Sequence, residues 1–562
     1  MRRSQLISTY GVGSVLPIES ESFMVAGIDD WRVSKQAPIE EDRLRRALGA
    51  SALYSPPSSE NRGMVPLVRF PEWVSCQGCG RLDTFWNLAA KLDGKHVNRC
   101  IHCTKSLVPS RFITCCAAGH IQDFPYHYWV HQGVEPFDDY SKHSLILKTD
   151  PSDSSLAGMI IVCKCGAARS LAGALGAAAA QAGCRGRSPW LRTPPADCSE
   201  RVFGLQRGAS NVWFPDVRSA LTIDRSLTDA EIALEKVAPA IADVAPERLE
   251  EVLRALAVGH NVNPDDLIST FHKQAGSDEA SAFAQLRAEE FDALNRAHPE
   301  LSGFESFVCS PIEVTDAETV GGTIAAISKV PRLREVRALR GFNRVSIPSE
   351  ATAAPRGRLT AGETSWLPAI EVLGEGVFVR FDNELVENWT GSKFAQSRAA
   401  LVNEAMRKAS DRDDLPVVTP KQLLLHSTAH ALLTELSLTS GYPASSIRER
   451  LYHDSNQAGI LLYTATADAA GSLGGLCSHA DPERIADITR AAIERAQWCS
   501  ADPVCLESTS SGSGAVNLAA CHSCMLLPEV SCELQNRFLD RACLVGSTDI
   551  PDGGFFSALP FD

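Results

Sequence analysis

Apolar and polar positions change rhythm several times along the chain, and each change marks an expected unit. Up to about residue 70, short apolar runs alternate with turn residues. This predicts small strands, one acidic and basic helix over 39–48, and a Pro- and Ser-rich closing loop over 54–63. From Pro71 to about Arg207 no rhythm dominates and cysteines do. Over 226–307 the spacing turns helical: Ser226 and Thr228 provide caps ahead of Glu231, apolar residues recur at helical intervals through Leu256, and a charged amphipathic run covers 280–294. A mixed stretch over 313–389 is broken by a Pro, Ala and Gly loop at 348–362 and contains an expected strand at 376–381. The last part combines helices, an apolar strand at 459–464 and a final group of cysteines. No fixed-period repeat is present. The expected fold is α+β and multidomain: a small α+β segment at 1–70, a zinc-ribbon region with one or two four-cysteine sites at 71–207, a helical insert at 208–310, a mixed α/β segment at 311–394, and a C-terminal α/β domain with a four-cysteine zinc site at 395–562.

With 562 residues, 44% of them hydrophobic, the chain can bury more than one core and does not need disulfides to do so. Its 18 cysteines, many in close pairs, point to reduced thiols in a cytoplasmic protein. Met1-Arg2-Arg3 lacks the following apolar core of a twin-arginine signal, and the alanine-rich stretch at 171–182 is too short to span a bilayer. A net charge of −14 argues against a surface that traps nucleic acid everywhere. One local patch qualifies as a DNA or partner contact, namely Arg332, Arg334, Arg337, Arg340 and Arg344, interrupted by the single acid Glu335. A solvated helix face or an internal ion-pair network explains the same run.

The cysteines carry the clearest chemistry. Cys76-Gln-Gly-Cys79 and Cys100-Ile-His-Cys103 are two CxxC turns separated by enough chain to fold back as a hairpin, so four thiolates can close a tetrahedron around Zn²⁺. His102 lies inside the second turn, facing away. A looser set comprises Cys163 and Cys165, then Cys184 and Cys198; the neighbouring Cys115-Cys116-Ala-Ala-Gly-His120 offers alternative ligands but reads better as a packed turn. The third set is Cys499, Cys505, Cys521 and Cys524, with Cys532 in reserve. Four thiolates leave no open position for water, so two to three structural zinc ions are expected and no catalytic one.

Other motifs are weaker. His426 and His430 stand one helical turn apart like HExxH, but Ser427 occupies the general-base position, and the surrounding leucines suit a buried helix with hydrogen-bonded histidines. The alternative is a metal-dependent nuclease or hydrolase using this pair with Glu435 or Asp468. The glycine-rich turn at 471–475 lacks both the Walker and the GxGxxG order, and no GxxxxGK[ST], GxSxG or HxKxxxxD signature occurs.

Taken together, His426-Ser-Thr-Ala-His430, Gly474-Gly475 and the spaced Cys499, Cys505 and Cys521-His-Ser-Cys524 resemble a zinc-binding domain found at the C-terminal end of certain helicases. Further stretches extend the likeness over nearly the whole chain: Gln5-Leu-Ile-Ser-Thr-Tyr-Gly-Val-Gly-Ser14, Gly119-His-Ile-Gln-Asp-Phe-Pro125 with Trp129-Val-His131, Arg332-Leu-Arg-Glu-Val336 with Gly341-Phe342, Trp366-Leu-Pro368, and Ala519-Ala-Cys-His-Ser-Cys524 through Asp540-Arg541. This combination resembles the DrmB family of DISARM antiphage systems. The resemblance implies a non-enzymatic accessory subunit that binds a helicase-like ATPase, DrmA, and reaches DNA through that complex. It implies neither a membrane nor a small-molecule substrate. The segment 226–307 matches no family motif.

Overall fold

The structure is a computed structural model. It describes residues 2–557 apart from 34–36, 58–63, 134–138, 177–181, 224–228, 242–243, 276–278, 302, 304, 316–318, 346–356, 364, 410–414, 455, 465–474 and 513–514. The expected caps Ser226 and Thr228, the candidate acid Asp468 and most of the glycine-rich turn lie outside the described residues.

A seven-stranded sheet organises the molecule. Its strands are β1 (Ala52–Tyr54), β2 (Phe214–Leu221), β3 (Phe307–Ile312), β4 (Ile324–Asn343), β5 (Trp366–Phe381), β6 (Ile447–Tyr452) and β7 (Gly459–Thr464). The main path runs β2-β4-β5-β7-β6; β3 also pairs with β4, and β1 joins β5 in parallel. The sheet therefore takes strands from four of the five segments expected from sequence. β4 and β5 form its spine, an antiparallel ribbon paired from Ile324↔Phe381 to Ala338↔Ala369. Register shifts between Ile324 and Ala326 and between Val330 and Leu333 let these long strands bend around two cores. At one end, Ile327, Val377 and Val379 pack against the C-terminal helices. At the other, Val336, Leu339, Phe342, Ile370 and Val372 meet N-terminal residues such as Leu6, Ile7, Met24 and Trp31.

Three helices matter for the C-terminal end: α1 (Lys393–Ala409), α2 (Pro420–Ser440) and α3 (Pro482–Ala496). α2 starts where Thr419 accepts a hydrogen bond from the Gln422 amide and Pro420 occupies the first turn; it stops at Gly441, whose φ of 75° is left-handed. Between these ends it is buried on nearly every side, from Lys421 to Leu436, as befits a core helix with no polar stripe. α3 by contrast is amphipathic and buries Ile485, Ile488, Ala492 and Ile493.

The helical block consists of Asp229–Ile241, Pro246–Gly259, Pro264–Ala275 and Glu279–Leu294. The first three bury Leu234, Val237, Leu253 and Leu267 among themselves. The fourth returns to the sheet, where Phe291 and Leu294 join Phe307, Leu333, Phe378 and Tyr463.

β4 accounts for the arginine run. Arg337 donates two hydrogen bonds to Glu335, at 2.8 and 2.5 Å, and Arg340 makes two to Asp216, at 2.9 and 2.6 Å. Arg334 pairs with Glu371 and also reaches the Glu40 carbonyl at 2.9 Å. Arg332 pairs with Glu300 at 3.0 Å and is the most exposed of the set. Arg344 is fully buried and donates to the carbonyls of Gly119, Val212 and Gly13 at 2.8, 2.7 and 2.7 Å. This corrects the expectation of a contact surface for Arg337, Arg340 and Arg344. Their guanidiniums are spent inside the fold, those of Arg337 and Arg340 as the internal ion-pair alternative has it and that of Arg344 on backbone carbonyls.

Candidate metal centres

Among the described residues, five clusters of Cys, His and Glu bring four ligand atoms within 4.8 Å of one another. All 18 cysteines are free thiols. The spacing decides between disulfides and metal ligation. A disulfide needs its sulfurs at about 2.05 Å, whereas Zn–S bonds of about 2.3 Å put the sulfurs of a tetrahedron about 3.8 Å apart.

The first cluster is Cys76, Cys79, Cys100 and Cys103, with Cys76 Sγ 3.2 Å from Cys103 Sγ and Cys79 Sγ 3.8 Å from Cys100 Sγ. Each CxxC turn points an amide at its first sulfur: Gly78 N–H donates to Cys76 and His102 N–H to Cys100, at 3.3 and 3.4 Å. Burial opposes ionisation of Cys76, but the Cys79 and Gly78 amides and the Cys103 thiol outweigh it and lower its pKa. The His102 side chain is exposed, outside the cluster. Val74, Phe85, Leu88 and Leu107 make up a thin core beside the sulfurs.

The looser set does not meet in one place. Cys163 and Cys165 lie with His131 and His143, while Cys184 and Cys198 lie with Cys116 and His120. In the first of these, His143 Nδ1 is 3.2 Å from His131 Nε2 and 3.6 Å from Cys163 Sγ, and His131 Nε2 is 3.4 Å from Cys165 Sγ. In a mixed N and S tetrahedron around zinc the N···N and N···S edges are about 3.3 to 3.6 Å. Gly166, at φ 98°, turns the chain directly after the CxC pair. Cys76 and Cys163 sit on strands of one six-stranded sheet, which joins the first cluster to this one.

In the other cluster Cys116 Sγ stands 3.5 Å from His120 Nδ1 and 3.7 Å from Cys184 Sγ. The turn expected merely to pack therefore supplies two members of the group. Strand alternation separates its two thiols: on the strand Phe112–Cys116, Cys115 points into the N-terminal core, where burial pushes its thiol up to about 12, and Cys116 faces the cluster. The Gly119 carbonyl of this turn is one of the three held by Arg344.

The C-terminal quartet places Cys499 Sγ 3.5 Å from Cys521 Sγ, and Cys505 Sγ 3.6 Å from Cys524 Sγ. Asp502 holds the loop between its first two members: its carboxylate accepts from the Cys499 amide at 2.8 Å and from the buried Arg541 at 2.6 Å. Asp540 next door accepts two bonds from Arg398 of α1, at 2.6 and 2.9 Å.

The fifth cluster gathers the histidine pair of the hydrolase alternative, but with partners other than those expected. His426 and His430 of α2 meet Glu449 of β6 and Cys532, the thiol held in reserve for the quartet. Glu435, proposed as a partner acid for the histidines, pairs with Arg495 instead. Sequence spacing could signal neither His131, His143 nor Glu449. His131 and His143 precede their CxC partner by long stretches of chain, and Glu449 reads as an ordinary strand residue.

Soft thiolates with imidazoles in closed groups of four are donor sets for structural zinc, and structural Zn²⁺ is the cofactor these centres suit.

Comparison with known proteins agrees with this chemistry. Residues 428–525 match the MrfA Zn-binding domain, which takes in the C-terminal quartet, and residues 2–214 match a domain of unknown function, DUF8724, which spans the three N-terminal clusters. A DISARM protein DrmB from Bacillus paralicheniformis is 30% identical over 96% of this chain and 99% of its own length. The chain thus belongs to the DrmB family of DISARM proteins.

Proposed function

We propose that this protein is a non-enzymatic, zinc-stabilised accessory subunit of a bacterial DISARM complex, acting in the cytoplasm. In this reading it binds the helicase-like ATPase DrmA as a heterodimer and helps that partner engage DNA. The observation that carries the reading is end-to-end similarity to a DISARM protein, joined to metal centres built from four protein donors each. Such centres have no vacant position for a substrate water, so they brace the fold rather than perform hydrolysis. The ribbons hold modules whose own cores are thin, and a structural zinc of about 10 to 16 kcal/mol apparent binding free energy is large against the few kcal/mol such modules supply. Among the described residues no helix is long and apolar enough to cross a membrane.

The test is to measure DNA affinity and ATP turnover of the partner ATPase alone and with this chain. Co-purification is expected, with tighter DNA binding by the pair and no nucleotide turnover or nuclease activity from this chain alone. Unchanged DNA affinity in a stable pair would reduce the role to a scaffold. Cleavage of DNA by the isolated chain, lost in His426→Ala, would favour the hydrolase reading.

A further inference from the structure

The cluster of His426, His430, Glu449 and Cys532 is separate from the C-terminal quartet, and its four ligand atoms converge on one point. Both histidine rings are wholly shielded from solvent, as is Glu449. His430 Nδ1 lies 2.7 Å from the Met525 carbonyl and His426 Nδ1 lies 3.2 Å from the Phe538 carbonyl. A carbonyl oxygen only accepts, so each Nδ1 carries the proton and, in the neutral ring, each Nε2 presents a bare lone pair.

Both lone pairs point at the Glu449 carboxylate, and that of His426 also at the Cys532 sulfur. His426 Nε2 is 3.2 Å from Glu449 Oε1 and 3.2 Å from Cys532 Sγ; His430 Nε2 is 3.6 Å from the same carboxylate oxygen. His430 Nε2 and Glu449 Oε2 have no hydrogen-bond partner although both are buried. A proton on one ring nitrogen or on the sulfur bridges only one pair of these atoms, whereas a single cation at their meeting point serves all four. The other contacts orient the group as metal ligands are oriented: the Glu533 amide donates to Glu449 Oε1 at 3.1 Å and the Asn536 amide to Cys532 Sγ at 3.1 Å. Charge settles the type of cation. Once a metal displaces the Cys532 proton, one carboxylate and one thiolate with two neutral imidazoles sum to −2, which a single divalent ion cancels, and a thiolate with imidazoles selects zinc over magnesium or calcium.

We propose that His426, His430, Glu449 and Cys532 hold a structural zinc ion that fastens the C-terminal loop to α2 and β6. The Asp540 amide already bonds to Ser427 of α2 and the Leu451 amide of β6 to Glu533, and the ion adds a single point at which all three elements meet, locking the segment carrying Cys521 and Cys524 against the central sheet. With four protein donors and full enclosure, it has no role in hydrolysis.

The direct test is zinc-edge anomalous diffraction from crystals of the full wild-type chain. A peak among Nε2 of His426, Nε2 of His430, the Glu449 carboxylate and Cys532 Sγ is expected. Its absence, with a peak present at the Cys499 quartet, overturns the proposal. In solution, Cys532→Ala is expected to lower zinc content by one ion per chain, and the double variant carrying both Cys524→Ser and Cys532→Ala by two. A double variant that loses no more zinc than Cys524→Ser alone would also overturn it. Should Cys532→Ala fail to fold, the wild-type diffraction result decides.

Discussion

Individual side chains show why the arginine-rich strand belongs to the interior. Arg344 is buried and serves three backbone carbonyls from three distant turns, and burial pushes its guanidinium down to about 10. Hydrogen bonds to a charged group are worth about 1.5–3 kcal/mol each and leave costly orphans when cut. Arg344→Met should therefore destabilise the protein by about 3 kcal/mol or more. Arg332→Ala, at a side chain 37% exposed, should cost less than about 1 kcal/mol. Urea unfolding followed by tryptophan fluorescence compares the two. Glu335 supplies a pH test. Burial alone raises its carboxyl, but Arg337 and Arg448 outweigh that and hold it well below its ordinary 4.5. Because the folded-state pKa is depressed, the carboxylate stabilises the fold above pH 4.5 and loses that contribution as pH falls toward the folded value. The stability gap between wild type and Glu335→Gln should be widest near neutral pH and narrow in acid.

At the scale of elements, what was legible in sequence depended on how local the signal was. Two CxxC turns identify the first cluster because each turn aims its own amides at its own thiolates. The apolar run Gly459–Thr464 is indeed a strand, buried on both faces as its composition implies. The cluster at Cys163 and Cys165 was half visible: the CxC hairpin is local, but its histidines arrive from a helix end and a 3₁₀ turn brought near only by the sheet. β4 was hidden because the buried Glu335 and Arg337 neutralise each other on one face, leaving a charge run where hydrophobic alternation was sought. The elements also set their own tests. Thr419→Ala removes the α2 cap and should cost about 1 kcal/mol, read in thermal unfolding. Cys79→Ser should release one zinc ion and expose the hairpin to limited proteolysis while the C-terminal domain stays protected; full zinc content with an unchanged digestion pattern would refute its ligand role.

For the molecule as a whole, the β4–β5 ribbon links an N-terminal end bearing three clusters to a C-terminal end bearing two. Rigidity at both ends suits the docking platform that the proposed accessory role requires. Chelation should accordingly act on architecture: stripping zinc from the chain is expected to weaken partner binding in step with loss of tertiary structure. The measurement that bears most directly on this is elemental analysis of the purified, folded chain, paired with its melting curve before and after chelation. Where the sequence alone leads to two or three zinc ions, the structure raises the expectation to four from the cysteine-rich centres and a fifth from the centre at His426, with a large drop in melting temperature once they are removed. A preparation holding little or no zinc that melts at the same temperature with and without chelator would contradict this.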